Sequence, residues 1–193
     1  MLRILLIDNY DSYTFNLVQL LYETGINIEL KIVKNDIHAD NLPYPFDKVL
    51  ISPGPGLPEE SGNLTQLISL MHDKYPLFGV CLGHQAIAQH FGAQLKLMPK
   101  SYHGIRSKCQ FVTNDDYVFN NLPITNYCGR YHSWVIDEQT LPETLIPTSY
   151  DEDGFIMAFR HKSLDIHAVQ FHPESFMTEY GLEMMRNWLE YSS

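Results

Sequence analysis

Through the first half of the chain, short apolar runs alternate with amphipathic stretches. Leu2–Ile7 is an apolar run stopped by Asp8, the pattern of a strand in a buried parallel sheet. Thr14–Glu23 then places Leu17, Val18 and Leu21 at helical spacing, and Gly25 reads as its C-terminal stop. Ile28–Val33 and Lys48–Ile51 read as two more strands, the second ended by Ser52-Pro53-Gly54-Pro55-Gly56. Leu64–Met71 reads as a helix, Leu77–Val80 as a fourth strand and His84–Phe91 as a helix closed by Gly92. Strand and helix in alternation predict βαβ units, that is, an α/β fold with an open, mainly parallel sheet and helices on both faces.

Beyond Gln94 the pattern changes. Cys109–Val112, Leu145–Tyr150, Phe155–Arg160 and Ile166–Phe171 are short β-rich runs separated by polar turns, which predict antiparallel additions to the same sheet in the C-terminal half. A last helix, about Glu179–Tyr191, carries Leu182, Met185 and Leu189 on one face. No repeat or linker interrupts the pattern, and 193 residues is the usual size of one domain, so residues 1–193 are read as a single unit.

Composition narrows the function. With 45% apolar and 19% charged residues the chain is globular in type. A net charge of −10 argues against a nucleic-acid partner held by phosphate neutralisation. Cys81, Cys109 and Cys128 form no CxxC pair, so neither a disulfide framework nor a zinc ribbon is expected. His161, His167 and His172 lack helical ligand spacing and no HExxH occurs, so no metal site is expected. The apolar N-terminal run is too short for a signal peptide or a membrane span, which makes a cytoplasmic location without membrane contact the expectation.

The most informative stretch is Gly79-Val80-Cys81-Leu82-Gly83-His84-Gln85. It has the form G-x-nucleophile-x-G between a predicted strand and a predicted helix. Glycines at 79 and 83 permit a tight turn that lifts Cys81 clear of the sheet. The helix that follows points its N-terminus at the sulfur and favours thiolate over thiol. The N–H of Leu82 is then placed as an oxyanion donor. Cys109 and Cys128 have no such context and are read as buried structural thiols.

A thiolate needs a base, and the base needs a group that fixes its tautomer. Gln170-Phe171-His172-Pro173-Glu174-Ser175 follows a predicted strand and supplies both. In extended chain residues two apart point the same way, so the Glu174 carboxylate is expected to reach the His172 imidazole. Active sites of open α/β sheets lie beyond the carboxyl ends of the strands, where both segments fall.

GVCLGHQ together with QFHPES resembles the signature pair of the class I, or triad, glutamine amidotransferases. Two further stretches narrow the likeness. Asp8-Asn9-Tyr10-Asp11-Ser12-Tyr13-Thr14-Phe15-Asn16 and Arg130-Tyr131-His132-Ser133 are similar to motifs of the small subunits of anthranilate synthase and para-aminobenzoate synthase. The segments match in order and cover essentially the whole chain.

The resemblance implies a flavodoxin-like fold, with Cys81 as nucleophile, His172 as base and Glu174 as orienting acid. It implies Gly54 N–H as the second oxyanion donor beside Leu82, and Gly54, Pro55, Gly56, Gln85, Ser133 and Trp134 as the glutamine pocket. A phosphate cradle is the rival reading of the Gly-rich loop, but the GK[ST] ending is missing and the prolines remove N–H donors. The implied partners are L-glutamine and a larger chorismate-binding synthase subunit, with no cofactor in this chain. Which chorismate pathway is served stays open. So do two rivals, a glutaminase subunit of another amidotransferase and a non-catalytic regulatory subunit of the same fold. Two positions depart from the family pattern: Trp134 stands where leucine is usual, and His103-Gly104-Ile105 lacks the lysine of an HGK loop.

Overall fold

The computed structural model describes residues 1–112 and 116–191. Its first half runs β1 (Leu2–Asp8), α1 (Thr14–Glu23), β2 (Ile28–Lys34), β3 (Lys48–Ile51), α2 (Leu64–Met71), β4 (Leu77–Val80) and α3 (Leu82–His90). The second half runs β5 (Leu95–Leu97), β6 (Ile105–Phe111), β7 (Thr125–Arg130), β8 (Trp134–Ile136), β9 (Leu145–Asp151), β10 (Ile156–His161), β11 (Ile166–Val169) and α4 (Gly181–Glu190).

One nine-stranded sheet has the order β2-β1-β3-β4-β11-β10-β9-β6-β7. From β2 to β11 neighbours are parallel, and from β11 onward they are antiparallel. The parallel part has the strand order of flavodoxin-like folds, and the antiparallel additions extend it on one side. α1 and α4 pack on one face, where Leu17, Leu21, Met185 and Trp188 meet Ile4 and Phe78. α2 and α3 pack on the other, where Leu67, Ile68 and Ile87 meet Leu5 and Ile51. Strands β3, β4 and β11 are buried at every position, the reason they read as unbroken apolar runs.

The one lysine among those strands has a specific partner. Lys48 Nζ donates to the carbonyls of Trp188 and Tyr191 at 2.6 and 2.7 Å, which places a cation at the C-terminus of α4. Burial pushes its pKa down from the usual lysine value.

Several boundaries differ from the expectation for local reasons. α3 begins at Leu82 because Cys81 itself is the residue before its first turn. α4 begins at Gly181 because Tyr180 lies in the left-handed region, with φ 61°. β11 stops at Val169, after which the chain bends away from the sheet. β7 and the small antiparallel pair β5–β8 were not expected, since neither shows an apolar alternation. No helix among the described residues is long and apolar enough to cross a membrane.

The parallel strands position the site. The loops leaving the carboxyl ends of β1, β3, β4 and β11 carry, respectively, the Asn9–Tyr13 stretch, Ser52–Gly56, Cys81 and Gln170–Ser175.

Candidate active site

Cys81 occupies a strained backbone position, φ 51° and ψ −99°, between β4 and α3. Such a conformation in a non-glycine residue costs of order 1–3 kcal/mol and persists only where the surroundings enforce it. Here the Cys81 N–H donates to Val169 O at 2.8 Å, and its carbonyl accepts the Gln85 N–H at 3.1 Å. The two glycines are required by space. A Cβ on Gly79 would lie 2.7 Å from the backbone of Gly83, and one on Gly83 would lie 2.7 Å from Ile51 O.

His172 Nδ1 lies 2.7 Å from Glu174 Oε1. An ionised carboxylate only accepts, so Nδ1 carries the proton and Nε2 is the nitrogen left for chemistry. Nε2 is buried and has no hydrogen-bond partner among the described residues. Burial pulls the His172 pKa down, but the charge of Cys81 and the bond to Glu174 outweigh it and raise it well above the ordinary imidazole value. The site therefore favours an imidazolium beside the sulfur. Tyr131 and Tyr13 pack edge-on against the ring at centroid distances of 4.8 and 5.6 Å and limit its rotation.

The two residues do not reach each other as neighbours on a strand face. They lie in a turn beyond β11, closed by the Ser175 N–H on His172 O at 3.2 Å. The expected contact is present, and a turn makes it.

Gly54 and Leu82 face each other so closely that a Cβ on Gly54 would stand 2.4 Å from Leu82 Cδ2. Leu82 is the first residue of α3, so its N–H has no carbonyl within the helix to meet. The Gly54 segment is held by a buried amide bracket. Asn9 N–H donates to Ser52 Oγ at 2.9 Å and Asn9 Nδ2 to Ser52 O at 2.7 Å. Asn35 Nδ2 in turn donates to Asn9 Oδ1 at 3.0 Å. Asp11 accepts the Tyr13 N–H at 2.7 Å and shapes the turn into α1. The Asp8–Phe15 stretch thus has a local structural role that its sequence alone did not separate from partner contact.

A cavity of about 280 Å³ opens on Cys81 and is lined by Gly54, Pro55, Gly56, Gln85, Ser133 and Trp134, as expected. His103, Tyr131 and His132 line it too, and no motif marked these as pocket residues. Cavities of about 230 and 360 Å³ lie elsewhere, so chemistry rather than size singles this one out. Gln85 Nε2 donates to Trp134 O at 2.9 Å and to Gln170 Oε1 at 3.1 Å. With both amide hydrogens committed, Gln85 has only an acceptor oxygen left for a ligand, which suits an ammonium group.

Trp134 O also accepts from His132 Nδ1 at 2.9 Å, and His132 Nε2 accepts from Arg130 Nε at 3.1 Å. Burial, aided by the Arg130 charge, pushes the His132 pKa down to about 3. Arg130 is itself buried against Asp151 at 2.5 Å, with its guanidinium 3.8 Å from the centre of the Tyr102 ring. The Arg130–Ser133 motif is therefore a pillar that fixes the pocket wall. Among the described residues no group of three His, Cys, Asp or Glu side chains is arranged to hold a metal ion.

A thiol on a strained elbow beside an oriented imidazole is the equipment of acyl transfer through a thioester. The chain belongs to the class-I glutamine amidotransferases, since the family model Glutamine amidotransferase class-I matches residues 5–191. It is 44% identical to aminodeoxychorismate/anthranilate synthase component 2 of Bacillus subtilis, over 97% of this chain and 95% of that one. It is 45% identical to anthranilate synthase component 2 of Mycobacterium tuberculosis, over 97% and 82% of the two chains. Among solved structures, a putative GMP synthase protein from Thermoplasma acidophilum superimposes with a TM-score of 0.86 at 30% identity, covering 98% of this chain and 92% of that one. A Thermotoga maritima glutamine amidotransferase shares the fold, with a TM-score of 0.72 at 20% identity over 90% and 76%.

Proposed function

We propose that this chain hydrolyses L-glutamine to glutamate and ammonia, and supplies the ammonia to a larger subunit that aminates chorismate. The observation that carries the reading is the His172–Glu174 pair, whose bare, buried Nε2 faces the charge of Cys81 at the elbow.

In this mechanism the Cys81 thiolate attacks the side-chain amide carbon of glutamine. Leu82 and Gly54 N–H groups stabilise the oxyanion, worth about 10²–10³ in rate per donor. His172 Nε2 gives its proton to the departing nitrogen, and ammonia leaves as the C–N bond breaks. The neutral imidazole then takes a proton from water, whose oxygen attacks the glutamyl thioester. The C–S bond breaks, glutamate departs and the thiolate returns. Gln85, Ser133 and the Trp134 backbone hold the α-amino and α-carboxylate groups, and Pro55 and Gly56 complete the pocket. Each step is assigned to a side chain or backbone group, so this subunit is read as working without a cofactor.

The names of the relatives support a chorismate-aminating partner of the anthranilate type, the aminodeoxychorismate type, or both. The test is glutamate release from glutamine by the chain alone and with each type of large subunit plus chorismate. Stimulation by one partner assigns the pathway, and stimulation by both makes this a shared subunit. No release in any mixture overturns the reading.

A further inference from the structure

Gln170 follows the last residue of β11, and its side chain is fully buried. A buried amide is tolerated only where its donors and acceptor find partners. Both partners of this one lie in the site. Nε2 is 3.6 Å from Cys81 Sγ as donor, and Oε1 accepts from Gln85 Nε2 at 3.1 Å. The Gln170 N–H donates to Met157 O at 2.8 Å, which fixes the point from which the side chain starts.

The amide can sit only one way round. Trp134 O is an acceptor, so the Gln85 atom against it is the nitrogen. That nitrogen also faces Gln170, so the Gln170 atom meeting it is the oxygen. The Gln170 nitrogen is therefore turned to the sulfur. A neutral thiol has little use for an N–H donor, whereas a thiolate gains a charge-assisted bond. The same chain of bonds links the Trp134 carbonyl in the pocket wall to the nucleophile.

We propose that Gln170 is a positioning residue: its buried amide holds the Cys81 sulfur as thiolate and locks it in register with Gln85. The inference rests on the glutaminase reading above. It adds a residue that acts through the nucleophile and touches no substrate atom.

The test is the pH dependence of Cys81 alkylation by iodoacetamide, with the modified cysteine located by mass spectrometry. Gln170→Met keeps the length and removes the amide. It is expected to move the midpoint of Cys81 alkylation up by about one pH unit, the scale of one hydrogen bond to a charged group. Glutaminase kcat at pH 7 should fall about tenfold and recover as the pH is raised, because one unit is a factor of ten in thiolate. Gln170→Asn, whose shorter amide falls short of the sulfur, should shift the midpoint the same way and carries the test if the Met variant does not fold. An unchanged midpoint in the folded variant, beside an active wild type, overturns the role of Gln170 and leaves the glutaminase reading standing. A wild type that releases no glutamate with any partner removes both.

Discussion

A Cβ on Gly181 would stand 1.9 Å from the carbonyl oxygen of Pro173. The first residue of α4 thus lies directly against the turn that carries His172 and Glu174. The helix braces that turn from behind, while Lys48 holds the far end of the helix through Trp188 and Tyr191. Backbone packed this closely has no flexible side chain to give way.

Gly181→Ala is therefore expected to push the turn out of place. Overpacking of this kind destabilises by about 1–3 kcal/mol, and a misplaced base lowers kcat by about 10²-fold. Thermal unfolding and glutamate release on the same preparation check both. A variant with wild-type kcat would mean that the turn moves without consequence for the chemistry.

Glu174→Gln keeps the shape of the carboxylate and removes its charge. His172 then loses the bond at 2.7 Å that fixes its tautomer and helps raise its pKa. Glutaminase kcat should fall about 10²–10⁴-fold, with little change in KM, since Glu174 does not line the cavity. Steady-state kinetics would separate the two constants.

Asn9→Ala removes the bracket under the Gly54 segment. Ser52 O and Asn35 Nδ2 each lose a buried partner, at a cost of about 1–3 kcal/mol. A looser Gly54 N–H should weaken the transition state more than the bound substrate, so kcat falls and KM holds. Urea unfolding and steady-state kinetics test the pair of effects.

The acid limb of stability should be steep. Burial holds the His84 pKa at about 3, and burial together with Arg130 does the same for His132. The unfolded chain titrates these rings near 6.5, so below that pH it binds protons that the folded chain refuses. Their contribution is full above about 6.5 and is lost as the pH falls toward 3. His132→Gln keeps a donor and an acceptor and removes one titration. It should flatten the fall in urea-unfolding free energy by about 1.4 kcal/mol per pH unit. Parallel pH profiles for variant and wild type would show that His132 is not held neutral in the fold.

What the sequence revealed follows from where its signals are local. The elbow is read within five residues because Gly79, Cys81 and Gly83 constrain one another directly. The buried strands β3 and β4 are read because burial on both faces leaves only apolar side chains. β7 escapes that logic. Its segment, Thr125 to Arg130, has no apolar alternation, and its buried arginine is matched by Asp151, 21 residues on. The support of the site is longer in range still. Asn9 meets Ser52 across 43 positions, and Gln170 meets Cys81 across 89. The motifs contain these residues but give no sign of their partners, which only the folded sheet brings together.

The most direct test of the central claim uses Cys81→Ala with chorismate and its large subunit, supplied in turn with glutamine and with an ammonium salt. The account predicts that product formation from glutamine is abolished while synthesis from ammonia continues at the wild-type rate. Continued synthesis from glutamine, or the loss of both, would contradict it.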